Sequence, residues 1–434
     1  MRVVCNKKGL VLVAVLWVVV VLMVIVVAVG QNSRVDTKVC VARTEELRCK
    51  WASRAGVETA VAVLNDDLRA SDSLTDLWSE NEEDFNDVGL EQCWFTVRVV
   101  DEAGKLNVNT ATKEQLMGLE DMTEEIADAI IDWRDKDEMP GDGGVEGGYY
   151  LNLRYGYSIR NGPFKTTREL LLVKGVSREW LYGEDTNFNG RLDYNERDGD
   201  ASPPADDGDE ELDRGWIAYL TCYSYDKDED ASGNKRININ EADEKKLQNS
   251  LKIKESYAKW IVENRKKNKY KSIADLINEK SPKKPKKGSK EDSDEAEALD
   301  LETFSQIADK ITITDDEKIV GRININTAPR VVLAALLGGD EAAERLADGI
   351  IAYREGLIYG MESIAEVMNV KSMKISTFKK IANHVTTRSD VFTVRCFTVA
   401  DRGAVGGARL QTEAVVDRSS TPCKVLYWYQ GVSN

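Results

Sequence analysis

The chain has 434 residues, room for two or three compact domains, and 31% of them are charged, the composition of a soluble body rather than of a multi-spanning membrane protein. Its 59 Lys and Arg against 75 Asp and Glu leave a formal charge of -16, which repels phosphate backbones and argues against nucleic acid as a partner. One histidine, His384, and the lack of a P-loop, of a G-x-S-x-G elbow or of a cysteine beside a credible base give catalysis no foothold, so the chain reads as a non-enzyme.

At the N-terminus, Arg2, Lys7, Lys8 and Gly9 precede an uncharged apolar run over residues 10–29. A run of that length at a helical rise spans the roughly 30 Å core of a bilayer. A secretory h-region is shorter, about 7–15 residues, and its small-residue cleavage site follows it. Here the small residue comes first, an order that suits removal of residues 1–9 while the helix stays on the mature protein. The basic cluster before the helix favours a cytoplasmic N-terminus with the body outside the cytoplasm. Helical spacing then continues through Val35, Val39, Ala42, Trp51, Ala55, Ala60, Val63 and Leu68, with Gly56 the one weak point, and predicts a single long helix. Alternation predicts a strand from Cys93 to Val100 and three C-terminal strands at 391–399, 408–416 and 424–430, the first two joined by a Gly-rich turn.

Between the first strand and the last three lies a helical region with an internal repeat. Lys105-Leu106-Asn107-Val108-Asn109-Thr110-Ala111 aligns with Arg236-Ile237-Asn238-Ile239-Asn240-Glu241-Ala242 and Arg322-Ile323-Asn324-Ile325-Asn326-Thr327-Ala328. In each, the Thr or Glu before Ala is expected to open a helix, and the Asn residues to cap helix starts or satisfy turn backbone. A second helix follows, carrying Ile130-Ile131-Asp132-Trp133-Arg134, Trp260-Ile261-Val262-Glu263-Asn264-Arg265 or Ile350-Ile351-Ala352-Tyr353-Arg354. Such short hairpins need neighbours to bury their apolar faces. The organisation expected is a leader at 1–9, a membrane helix at 10–29, the rest of the helix and the first strand at 30–103, an α-helical insert at 104–389 and the last strands at 390–434. The insert holds repeats at 105–178, 236–281 and 322–385, a metal loop at 185–196 and a low-complexity, mobile linker at 279–300.

Residues 185–196 fit the calcium-loop pattern D-x-[DN]-x-[DN]-G-x5-E at every specified position. Asp185, Asn187 and Asn189 supply hard oxygens at positions 1, 3 and 5, the Arg191 carbonyl stands at position 7, Asp193 at 9 and the bidentate Glu196 at 12, with Gly190 at the sharp turn. Three carboxylates and two Asn side chains suit weak Ca2+ binding, on the order of 0.1–1 mM; the alternative is a solvated acidic turn. The carboxylates of Asp198, Asp200, Asp206, Asp207, Asp209 and Asp213 form a second cation candidate without fixed spacing. Of seven cysteines, removal of the leader deletes Cys5 and leaves six with no C-x-x-C pair. In an oxidising compartment Cys396 and Cys423 are the first candidate disulfide, with buried free thiols as the alternative.

Taken together, Lys7-Lys8-Gly9 with Leu10–Trp17, Asp101 to Ala111, Ile130 to Asp135 and Arg160-Asn161-Gly162-Pro163-Phe164…Glu169-Leu170-Leu171 resemble the K-type minor pseudopilins of the bacterial type II secretion system. The resemblance runs nearly end to end. It implies an α+β, pilin-like fold, a long N-terminal helix on an antiparallel sheet, with a large inserted α-helical domain of helical-hairpin repeats. It also implies cleavage between Gly9 and Leu10 by the prepilin peptidase, a single-pass inner-membrane location with a periplasmic body, and calcium in the helical domain. Further implications are a place at the pseudopilus tip beside the I- and J-type minor pseudopilins, initiating or capping the filament. Major pilins carry Glu five residues after the cut, whereas this chain has Ala14, which fits a subunit with no neighbour above it. Three Asn-x-Asn-x-Ala units and a Lys/Glu-rich insertion depart from the family pattern. Two other classes stay open on the sequence: an exported, membrane-anchored hairpin protein that binds DNA, and a calcium-braced surface adhesin.

Overall fold

A computed structural model describes the chain apart from residues 1–6, 69, 186–191, 203, 205, 207, 278–298, 401–406 and 433–434. The first helix, α1 (Lys7–Asp66), is continuous from the apolar run into the body. Its apolar half, from Val11, is exposed, and α1 is the helix among the described residues long and apolar enough to cross a bilayer. The body begins where a stripe spaced three and four residues apart, Cys49, Ala52, Ser53, Val57, Ala60 and Leu64, turns inward and is buried. After α1 come β1 (Val88–Leu90) and β2 (Cys93–Asp101). Three helical pairs follow: α2 (Lys113–Met117) with α3 (Glu124–Arg134), α4 (Glu244–Leu251) with α5 (Glu255–Lys267), and α6 (Arg330–Leu337) with α7 (Glu341–Glu355). The chain ends in β3 (Val391–Ala400), β4 (Arg409–Asp417) and β5 (Lys424–Val432).

The five long strands form one antiparallel sheet in the order β1-β2-β3-β4-β5. Phe95, Val97, Val394, Cys396, Ala414 and Val416 face α1 and make a core with its buried stripe. This is the α+β, pilin-like arrangement. Gly56 sits at the closest approach of helix to sheet: a Cβ there would lie 2.6 Å from the Cys396 sulfur and 2.9 Å from Phe95. The residue that weakens the helix in isolation is therefore the one that lets it seat. Gly56→Leu is expected to cost about 1–3 kcal/mol by overpacking, read as a lower thermal midpoint; an unchanged midpoint would contradict the packing.

The helical insert leaves and re-enters the sheet at one place, because Asp101 at the end of β2 is the register partner of Phe392 at the start of β3. That joint is buried and polar. Asp101 Oδ2 accepts hydrogen bonds from Asn324 Nδ2 (3.0 Å), Thr327 Oγ1 (2.5 Å) and Ser389 Oγ (2.6 Å), so the third repeat is locked directly onto the sheet. Beside it, Arg418 pairs with Asp67 (2.7 Å) and with the fully buried Asp72. Burial, reinforced by Asp101 and Asp67, pushes the Asp72 carboxyl up to about 7 against the pull of Arg418.

The three repeats use one construction. The first Asn of each pair accepts from the backbone two residues on, Asn109 to Asn107, Asn240 to Asn238 and Asn326 to Asn324. The second Asn clamps a distant strand-like segment through both its amide groups: Asn109 on Phe164, Asn240 on Tyr270 and Asn326 on Met361, at 2.7–3.1 Å. Arg134, Arg265 and Arg354, at the ends of α3, α5 and α7, donate to the carbonyls of Val108, Ile239 and Ile325 within the same turns. The Asn residues thus serve turn backbone and do not cap helices. The caps are Thr112, Asp243 and Pro329, two residues after the expected helix openings.

The start of each repeat also pairs with a short strand that follows it in the chain. Leu106-Asn107 pairs in parallel with Leu220-Thr221, Ile237-Asn238 with Ile311-Thr312, and Ile323-Asn324 with Val385-Thr386. These parallel pairs tie the start of each copy to Thr221, Thr312 and Thr386. Of the expected linker at 279–300, residues up to 298 lie outside the described residues. Leu299 is buried and bridges Ile277, and Asp300 caps the next helix, so its last two residues belong to the ordered insert. Cys396 and Cys423 do not meet: Cys396 lies in the sheet–helix core, while Cys423 reaches Asn65 at 3.3 Å. That expectation is corrected, because strand register and not proximity in the C-terminal sequence decides which cysteines face each other.

Candidate metal centre

Of the loop expected to hold calcium, Asp185, Asp193 and Glu196 are described, and Asn187, Asn189, Gly190 and Arg191 lie outside the described residues. Asp185 and Glu196 are buried. A short helical turn at Tyr194–Glu196 folds Glu196 back so that its Oε2 accepts from the Asp193 amide at 2.9 Å. The other oxygen, Oε1, is buried with no hydrogen-bond partner among the described residues. Burial, with the charges of Asp193, Asp185 and Glu184 alongside, pushes the Glu196 carboxyl above its ordinary range. Asp185, Asp193 and Glu184 are thus near enough to act electrostatically on Glu196.

The loose Asp run beyond it does not form a comparable centre among the described residues. Asp198 binds Ser202, Asp206 turns onto the Gly208 amide, Asp209 onto Glu211, and the Asp213 amide donates to Glu184. The first three are local turn contacts, and the last ties the end of the run back to the start of the loop. The Asp200 side chain and Asp207 lie outside the described residues.

A second carboxylate centre stands elsewhere, at the end of α3, where Asp132, Asp135 and Glu146 bring ligand oxygens within 4.8 Å of one another. The helix places Asp128 and Asp132 one turn apart on one face. Asp128 is neutralised by Lys113 at 2.9 Å. Asp132, 3% exposed, instead receives the Gly141 amide on both oxygens at 3.1 Å. The loop from Asp135 to Glu146 wraps back over it, and a Cβ at Gly144 would collide with the Asp132 carboxylate, so a glycine is needed for that approach. Asp135 Oδ1 and both Glu146 oxygens are buried without hydrogen-bond partners among the described residues. Burial, with Asp132, Asp135 and Asp137 close by, pushes Glu146 up to about 7, and burial raises Asp132 and Asp135 as well.

Three desolvated carboxylates with no cation are costly unless they are protonated or bind a metal. The donor set is all oxygen, without Cys or His, so it fits a hard cation such as Ca2+ and not zinc. Asp132, Asp135 and Glu146, with loop carbonyls and water, have the composition of such a site. Asp135, Asp137 and Glu146 in fact stand at positions 1, 3 and 12 of a twelve-residue loop. Met139 at position 5 and Pro140 where the turn glycine belongs keep it from matching the calcium-loop pattern.

Two family models for type II secretion system (T2SS) protein K match the chain, over residues 104–182 and 323–388, and a helix-hairpin-helix motif model matches residues 232–281. No curated protein matches in sequence. Among solved structures, the crystal structure of the GspK-GspI-GspJ complex from the enterotoxigenic Escherichia coli type 2 secretion system is similar at 14% identity and a TM-score of 0.49, over 90% of this chain and 98% of that one. The first protein K match contains the Asp132–Asp135–Glu146 centre, and the second contains the Asn324–Thr327 lock on the sheet. With both domains in place at the two ends of the insert, the chain belongs to the protein K family of type II secretion, whose members are minor pseudopilins.

Proposed function

We propose that the chain is the tip subunit of the pseudopilus, starting or capping a filament that drives protein export across the outer membrane. The observation that carries this reading is the position of the insert. Cys93, at the start of β2, lies against Cys49 near the membrane side of the body, while Asp101, at the other end of the strand, lies beside Asp72, just past the end of α1. The insert therefore springs from the end of the pilin-like body farthest from the membrane. In a filament of parallel helices, that is where the next subunit would stack. Burial of the apolar half of α1 among its neighbours would replace its lipid contacts during assembly.

Gly9 and Leu10, in the first turn of α1, flank the bond that the prepilin peptidase would cut. The I- and J-type minor pseudopilins are the partners this reading assigns, the inner membrane is the anchor and the periplasm holds the body. Calcium is assigned to the two carboxylate centres as a brace of the insert. Immunogold labelling of the insert on sheared pseudopili is expected to mark one end of each filament, and the mature N-terminus is expected to be Leu10 by mass spectrometry. Label along the shaft, or retention of residues 1–9, would overturn the respective assignment.

A second reading has one observation behind it. The helix-hairpin-helix match covers the copy whose exposed hairpin carries Lys252 and Lys254, where the other copies have Glu120-Asp121 and Asp340-Glu341. That copy suits a polyanion better than its siblings do. Salt-sensitive retention of the purified protein on duplex DNA would favour this reading over the tip role.

A further inference from the structure

Cys49 is the first buried residue of α1 counted from the membrane end, and Cys93 is the first residue of β2; both are at most 1% exposed. Their sulfurs face each other at 4.0 Å. The remaining described cysteines are placed differently: Cys40 is exposed on α1, Cys222 meets Tyr223, Cys396 meets Ser53, and Cys423 meets Asn65. The Cys49 thiol also donates to the Ala408 carbonyl at 3.3 Å, and the neighbouring Arg48 and Gln92 side chains hydrogen-bond across the same corner. Helix and strand are therefore held together on both sides of the sulfur pair.

We infer that Cys49 and Cys93 form a disulfide that staples the membrane helix to the sheet at the point where the helix leaves the body. The inference rests on the periplasmic placement of the body, since a reducing compartment would keep the pair as thiols. The sulfurs are in contact, separated by about twice a bonding distance of ~2.05 Å. In the reaction the two thiols give up two protons and two electrons as the Sγ–Sγ bond forms. A protein or glutathione disulfide takes them up as its own S–S bond breaks into two thiols, by way of a mixed disulfide. Burial and the adjacent Cys49 push the Cys93 thiol up to about 11, so the folded corner is a poor nucleophile. The bond is thus made as α1 docks and is shielded afterwards.

The position gives the staple a use. A subunit drawn from the bilayer into a filament transmits load from α1 to the sheet, and the Cys49–Cys93 corner is where that path enters the buried body. Closing the 44-residue separation also removes freedom from the unfolded chain.

The test uses the full-length protein purified in detergent. After unfolding and refolding in oxidised glutathione, peptide mapping is expected to find Cys49 linked to Cys93, and the thermal midpoint is expected to exceed that of the reduced protein by on the order of 5–10 °C. The Cys49→Ser, Cys93→Ser double variant is expected to lose all redox dependence of its midpoint. Absence of the linked peptide, or equal midpoints for oxidised and reduced wild type, would overturn the inference. Two measurements on cells separate the two readings: Cys49 and Cys93 acid-trapped as thiols would overturn the staple, and protection of the body from protease in spheroplasts would refute the periplasmic placement.

Discussion

Replacing Arg418 with Met is expected to lower stability by about 3–5 kcal/mol, with a fall in thermal midpoint on the order of 10 °C. Arg418 is 1% exposed and donates to Asp67, Asp72 and, through Nε at 3.1 Å, the Ser389 carbonyl, while its guanidinium lies 4.8 Å from the centre of the Phe392 ring. One side chain therefore holds the end of α1, the strand entering β3 and the insert together. Its removal strands two carboxylates beside Asp101, and the cost is that of buried charges left without a partner rather than the worth of an ion pair.

The pH dependence of that loss has a definite sign. A carboxylate whose folded pKa lies above its unfolded value, near 3.9, favours the folded state when protonated. Its penalty is absent below about pH 4, grows as pH rises through the folded value, and is complete above it. With Asp72 already at about 7 in the presence of Arg418, the variant should lose less at pH 5 than at pH 8. Asp72→Asn in the Arg418→Met background should recover part of the deficit at pH 8. Circular dichroism melts at the two pH values decide the matter: equal losses, or no recovery by Asp72→Asn, would show that the Arg418 stem and its packing matter and the charge does not.

How far the sequence carries this architecture depends on the range of the interactions. α1 is legible because an apolar run and a three-four stripe are local patterns, and the sheet because alternation is local too. The Asn-x-Asn turns are legible as a repeat, but their chemistry is not. Asn109, Asn240 and Asn326 act on Phe164, Tyr270 and Met361, partners 30 to 55 positions away. A readable signal was passed over in the short strands that pair with the repeat starts. Thr221, Thr312 and Thr386 each follow an apolar residue, pair in parallel with the start of a copy, and accept on Oγ1 the amide two residues on. The Asp132–Asp135–Glu146 centre escaped because the calcium pattern is a rule about turn glycine and spacing. Here Gly141 and Gly144 supply the close approach from other positions. The cysteine pairing was illegible for a different reason: it needs the docking of α1 on a strand 44 residues away, which no local pattern encodes.

Calcium is expected to stabilise the insert at pH 7.5–8 and to lose its effect as the pH falls towards 5. Without metal, Glu146 sits at about 7, well above an unfolded value near 4.3. The apo protein is therefore least stable above pH 7, where the three carboxylates are charged together, and gains stability as protons enter between about pH 7 and pH 4.5. A divalent cation relieves the same repulsion without a proton, so its benefit is greatest where the proton is absent and vanishes where protons already occupy the site. At free calcium a hundredfold above Kd, each site contributes about 2.7 kcal/mol, a rise in midpoint on the order of 5 °C. Single substitutions separate the centres. Glu146→Gln is expected to stabilise the apo protein at pH 8 and to remove one calcium equivalent in a calorimetric titration, and Glu196→Gln to remove the other. Identical melting curves in excess calcium and excess chelator at pH 7.5 would refute calcium as a brace of the insert. A stoichiometry unchanged by Glu146→Gln would refute the centre at the end of α3 while leaving residues 185–196 as the place where calcium binds.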